Sequence, residues 1–190
     1  MAWADAAEQF TNALASSDPT PGGGAAAATS GAMGCALALM AIRTTLKRKS
    51  TPADFLPALQ QAEQQFSALY IILQKLARQD AQAYAAYIEA CKLPKENPTR
   101  AQAMQAALWQ AALVPADTAV ACAHALQAVA EIQEKIAPVI MSDLLCARHL
   151  LQGATACCVE NLRANATYIT DPERTKQLTK LVETYESNGK

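Results

Sequence analysis

A chain of 190 residues with 16 basic and 17 acidic side chains, formal net charge −1, suits a single domain with a sizeable core. It lacks the positive excess of a nucleic-acid-binding domain. Apolar residues make up 52% and aromatics only 5%, so the apolar content is mostly Ala and Leu, which with 7 Gly favours helix. Helices this poor in large side chains must pack closely, and their flat apolar faces suit a second copy of the chain. The expectation is one all-α domain over 1–190, a dimeric bundle of about six helices with long antiparallel members.

In chain order, residues 2–16 predict an amphipathic helix, with Trp3, Ala6, Phe10 and Leu14 at helical spacing. The opening residues carry no basic stretch and do not read as a signal peptide. Residues 16–24 break the helix: Pro19 and Pro21 hold extended backbone, and Gly22, Gly23 and Gly24 permit conformations closed to other residues. A second helix is predicted over about 25–47, where Ala28, Gly31, Gly34 and Ala38 form a small-residue face that admits another backbone. No charge appears in 25–42, near the lower length for a membrane span, but its Ala and Gly content fits a helix buried inside a soluble protein better.

A long third helix is predicted from Pro52 to Cys91 and is interrupted at 92–98. Thr99 then caps a fourth helix that runs, kinked near Pro115, to about Lys135. Pro138 lies in a short connection, and Ser142 or Asp143 caps a fifth helix ending near Ala166. Asp171, Pro172 and Glu173 open the last helix, and residues 186–190 are expected to fray. The six cysteines (Cys35, Cys91, Cys122, Cys146, Cys157, Cys158) form no CxxC pair and fall in helical text, so they read as buried reduced thiols in a cytoplasmic protein. His124 and His149 are isolated, so no metal site is expected.

Few residues offer chemistry. Glycines before a helix expose N–H groups, and the helix terminus adds partial positive charge, so 22–24 suits a carboxylate or carbonyl as well as a plain tight turn. Asp80 lies inside the third helix with Tyr84 and Tyr87 at i+4 and i+7 on one face. If that face is covered, burial raises the carboxyl towards a useful acid–base range; if open, Asp80 is only a solvated charge. Asp143 reads as a helix cap. Asn161 and Asn165, one turn apart, suit either a polar heterocycle or interhelical hydrogen bonds. Arg43, Lys47, Arg48 and Lys49 complement the dipole at the end of the second helix, and together also suit a polyanionic tail.

Four blocks in order carry a resemblance: 17–28 (SDPTPGGGAAAA), 80–95 (DAQAYAAYIEACKLPK), 142–144 (SDL) and 161–171 (NLRANATYITD). Together they resemble the C-terminal domain family of formiminotransferase-cyclodeaminase. The resemblance implies an all-α homodimer with its site in a cleft at or near the subunit interface, binding a tetrahydrofolate derivative with no metal and no tightly held coenzyme. Members close 5-formimino-tetrahydrofolate to 5,10-methenyl-tetrahydrofolate with release of ammonia, and relatives open the same methenyl bridge with water. The KLPK-containing block tilts the expectation to the cyclodeaminase, with the cyclohydrolase as alternative and a non-catalytic folate-binding or helical interaction protein as a further one.

Asp80 matches the family's catalytic carboxylate. Gly22, Gly23 and Gly24 are implied as the backbone wall of the cleft, Asp143, Asn161 and Asn165 as binding the pterin or orienting neighbouring groups, and Pro21 and Tyr84 as further substrate-binding residues. Arg43, Lys47 and Lys49 are assigned to the glutamate tail. The chain departs from the family pattern before the SDL block, where Ile136, Ala137, Pro138 and Val139 replace a Gly-Asn-containing connection, which puts one substrate contact in doubt.

Overall fold

Where Ala and Leu dominate and no stretch alternates polar with apolar residues, the backbone has little but helix to form. The computed structural model describes residues 2–187. Six α-helices appear, with no strand among the described residues: α1 (Ala2–Leu14), α2 (Gly23–Leu46), α3 (Leu56–Lys92), α4 (Arg100–Ile132), α5 (Met141–Ala166) and α6 (Pro172–Ser187). Short 3-10 turns at Ala53–Phe55, Gln133–Lys135 and Pro138–Ile140 sit at the joints.

The helix count and order follow the expectation, and the differences lie at the ends. Gly23 and Gly24 belong to the first turn of α2 rather than to the preceding loop. No described glycine has positive φ, so these residues are not there for unusual backbone angles. Pro57, not Pro52, occupies the opening of α3, because residues 53–55 wind as a 3-10 turn first. Thr99 precedes α4 but makes no side-chain cap; Asn97 Oδ1 instead accepts hydrogen bonds from the Thr99 N–H (2.9 Å) and hydroxyl (2.8 Å). Pro115 is buried inside α4, which continues as one helix to Ile132. Ser142 and Asp143 lie within the first turn of α5, where Asp143 complements the dipole without capping. Asp171 does cap α6, accepting from the Glu173 and Arg174 N–H groups. Glu186 is helical and ion-paired with Arg163 rather than frayed, and residues 188–190 lie outside the described residues.

Packing explains the composition. Helix α2 runs through the middle, against α3 and α5 chiefly and α4 in part. Its Ala28, Cys35, Ala38, Ala41 and Ile42 are fully buried. Gly34 takes the backbone of α5 at close range: a Cβ there would meet Leu151 Cγ at 2.8 Å and the Ala147 carbonyl at 3.0 Å. Gly31 is similarly enclosed by Cys122 Sγ and Leu73. The small-residue face predicted on α2 is therefore spent inside the chain, and it is no argument for a dimer. Larger side chains on the neighbouring helices, such as Phe66, Leu59, Leu73, Leu144 and Leu151, complete the core, each burial stabilising by about 1.5–3 kcal/mol. Helix α6 covers the opposite face of α4 and α5 through Leu178 and Val182.

Both α2 and the stretch Arg100–Lys135 are long and apolar enough to cross a membrane by length and composition. Most of each such window is buried against neighbouring helices, which is what a bundle's central members require. Helix α1 has no buried residue. The cysteine expectation holds in part: Cys35, Cys122 and Cys158 are buried and Cys91 is half-buried, whereas Cys146 and Cys157 are exposed. All six thiols are free.

Candidate functional site

The site follows from two antiparallel pairings of α2. Gly24 lies beside Asp80 of α3, and Gly23 lies beside Asn161 of α5. The N-terminus of α2 is thereby placed against the later part of α3 and the end of α5. In a helix the first-turn N–H groups have no carbonyl of their own to bond. Here Ala25 N–H donates to Asp80 Oδ2 at 2.9 Å, so a side chain 55 residues away satisfies one of them. Gly24 is required by that approach: an added Cβ would overlap Asp80 Oδ1 and lie 2.6 Å from its Cγ.

A cleft of about 430 Å³ opens at this junction. Gly22, Gly23 and Gly24 border one side, with Pro19 and Thr20 of the preceding loop. Asp80, Tyr84 and Tyr87 form the α3 wall, and Asn161 and Asn165 the α5 wall, with Tyr168 just beyond. Leu108 and Ala111 of α4 supply apolar floor. Asn161 Nδ2 donates to the Cys157 carbonyl at 2.8 Å, which fixes the amide and leaves its oxygen for a ligand.

Asp80 has the electrostatics of an acid–base group. Burial holds its carboxyl above the ordinary carboxylate value, and the Ala25 N–H, which stabilises the anion, offsets only part of that. The buried thiols of the bundle are not competitors for this role. Burial pushes Cys35 and Cys122 up to about 12, and it raises Cys158 as well, so none is a thiolate near neutrality.

The structure brings together Gly22, Gly23, Gly24, Asp80, Tyr84, Asn161 and Asn165 as expected, with Pro21 in the loop between two lining residues. It does not bring Asp143, Arg43, Lys47 or Lys49 to this cleft. Helices α2 and α5 are antiparallel, so the end of α2 meets the beginning of α5. Arg43 is 19 residues from Gly24, about 29 Å along the helix. Arg43 pairs instead with Glu63 of α3 at 2.7 Å. The altered loop 136–139 is at that far end too, where the Ala137 N–H donates to buried Thr45 Oγ1 at 3.1 Å. Within one chain, its departure from the family pattern touches nothing at Asp80. Tyr168, Leu108 and Ala111 were not singled out from the sequence. Tyr168 falls in the 161–171 motif, but Leu108 and Ala111 sit in ordinary helical sequence and give no signal.

A second concavity of about 420 Å³ lies between α4, α5 and α6. Its charged residues, Glu160, Arg163 and Glu186, are paired with one another, and it has no buried acid or base comparable to Asp80.

Comparison with known proteins places this geometry in context. Residues 6–184 match the family profile of formiminotransferase-cyclodeaminase. The chain is 35% identical over 140 residues to a methenyltetrahydrofolate cyclohydrolase of Methylorubrum extorquens, covering 72% of this chain and 65% of that protein. It is 33% identical over 167 residues to the formimidoyltransferase-cyclodeaminase of Sus scrofa, covering 85% of this chain and 30% of that protein. It thus spans less than two thirds of either relative's length. A crystal structure of formiminotetrahydrofolate cyclodeaminase from Thermotoga maritima superposes with a TM-score of 0.85 at 27% identity, covering 96% of this chain and 88% of that one.

Proposed function

The chain belongs to the formiminotransferase-cyclodeaminase family, and from that premise we propose that it is a folate enzyme that closes 5-formimino-tetrahydrofolate to 5,10-methenyl-tetrahydrofolate with release of ammonia. The observation that carries this reading is the half-buried Asp80 carboxyl, held by the Ala25 N–H in a cleft walled by tyrosines and asparagines. In the proposed cyclisation, folate N10 attacks the carbon of the protonated formimino group to give a tetrahedral carbon between N5 and N10 that carries an amino group. Asp80 takes the N10 proton and returns a proton to the amino group, which leaves as ammonia. A carboxyl raised by burial serves both halves of that exchange better than a fully solvated one. Asn161, Asn165 and the first-turn N–H groups of α2 suit the polar edge of a pterin, and the tyrosines suit an aryl ring. No resident metal or coenzyme enters the scheme.

The similarity to the Methylorubrum extorquens protein favours a second reading, hydrolysis of the methenyl bridge. There Asp80 takes a proton from water as it adds to the methenyl carbon, and the same tetrahedral geometry is reached. An absorbance assay with the two folates in separate cuvettes separates the readings. Growth of the methenyl band with ammonia release supports the cyclodeaminase. Decay of that band faster than in buffer supports the cyclohydrolase. No change in either cuvette removes catalysis and leaves a folate-binding or interaction protein.

The reading includes a homodimer in the reducing cytoplasm. Met33 and Met40 of α2 and Ile71 and Ile72 of α3 are the large apolar side chains left exposed on adjoining helices, and a second copy would cover them. Light scattering at micromolar concentration is expected to give twice the chain mass, falling to the monomer in a Met33→Lys/Ile72→Lys variant. A monomeric wild type would remove the dimer.

A further inference from the structure

The row that begins at Asp80 continues along α3 through Tyr84 and Tyr87 to Cys91, each one turn or less beyond the last. From Asp80 to Cys91 is 11 residues, about 16 Å along the axis. The row ends at Arg100, in the first turn of α4. The Arg100 guanidinium donates from Nε to the Leu93 carbonyl at 3.0 Å and from Nη2 to the Cys91 carbonyl at 3.2 Å. These partly buried bonds tie it to the end of α3 and hold it in one place.

The Tyr87 phenol is raised by its hydrogen bond with Cys91 and by burial, and Arg100 pulls in the opposite direction. A guanidinium has five N–H donors, and only one on Nε and one on Nη2 are used here, which leaves Nη1 and the second Nη2 hydrogen. Among the described residues no carboxylate forms an ion pair with Arg100. Of the cations near this end of the bundle, Lys92 pairs with Glu89, Arg163 with Glu160 and Glu186, and Arg174 with Asp171 and the Trp109 ring, while the exposed Lys95 and Arg78 form no ion pair among the described residues.

We propose that Arg100, held beyond the last lining tyrosine of α3, receives the glutamate carboxylate of a folate whose reacting carbon sits at Asp80 and whose tail extends out of the cleft. Arg43, Lys47 and Lys49 are too far from Asp80 within one chain for that role. The inference rests on the folate reading above, and it assigns Arg100 as a positioning residue. A fixed guanidinium with unused parallel donors recognises a carboxylate better than a mobile ammonium does.

The test compares equilibrium binding of tetrahydrofolate with that of tetrahydropteroate, which lacks the glutamate, to the wild type and to Arg100→Gln and Arg100→Lys. The wild type is expected to bind tetrahydrofolate about 10- to 100-fold more tightly than tetrahydropteroate. Arg100→Gln is expected to lose that difference, and Arg100→Lys to keep part of it. Loss of the bonds to Cys91 and Leu93 alone would weaken both ligands equally, and that result would overturn the assignment. Failure of the wild type to bind either ligand would overturn it together with the folate reading. Turnover is read separately, so a wild type that binds folate without converting it sinks the reaction while the Arg100 comparison still decides the subsite.

Discussion

Asp80→Asn is expected to lower turnover of the folate substrate by about 10²- to 10⁴-fold, the range a positioned acid–base group supplies. Asn keeps the shape and an oxygen able to accept the Ala25 N–H bond, so the bundle should remain folded. It removes only the exchangeable proton. Stability gives a second readout with a definite sign. Burial raises the Asp80 carboxyl in the folded chain, so the folded state holds the proton more tightly than the unfolded state does. Stability therefore falls as pH rises from the ordinary carboxylate value through the raised one, and it stays at the lower level above that window. The variant has no such ionisation. Its melting temperature relative to wild type should rise from acid to neutral pH. Undiminished turnover in a folded variant would exclude Asp80 as the acid–base group, and a flat difference with pH would mean that burial does not perturb it.

Gly24→Ala should be nearly as damaging to activity without touching a polar group. The new methyl would occupy the space of the Asp80 carboxylate, 2.6 Å from Cγ, so Asp80 must swing away or α2 and α3 must separate. Misplacing a catalytic group by about 1 Å costs on the order of 10²-fold in rate, and overpacking costs about 1–3 kcal/mol in stability. Gly23→Ala is the matched control, since its methyl would lie 3.3 Å from Asn161 Nδ2, a contact that a small shift of the amide relieves. Circular dichroism and turnover on both variants check the pair. Equal activity of Gly24→Ala and wild type would show that Asp80 need not sit against α2.

These two positions also show what is legible without coordinates. The Gly-rich segment, Asp80 with its tyrosines, and the paired asparagines stood out in the sequence, and the fold brings them into one cleft. Three glycines after two prolines suggest a need for backbone freedom, yet no described glycine has positive φ. Gly24 is small because a carboxylate from another helix lies where its side chain would be, a cause that exists only between elements.

Within one chain the basic cluster lies away from the cleft for a related reason. Arg43, Lys47 and Lys49 are conspicuous in one dimension, yet α2 is 24 residues, about 36 Å long, and carries them to the opposite end from Asp80. Arg100 drew no notice in the sequence because it is a single Arg after a Pro-rich turn. Only the pairing of α3 with α4 puts it at the end of the Asp80–Tyr84–Tyr87 row.

By itself the sequence determined the helices, their number and order, and the family, because helix propensity and ordered motifs are local properties of the chain. The tertiary structure decided which faces are spent on packing, which charges share a cleft with Asp80, and why Gly24 must be small. Those depend on the antiparallel register of α2 against α3 and α5, a relation among residues far apart in the chain, such as Ala25 and Asp80, that burial and close packing select.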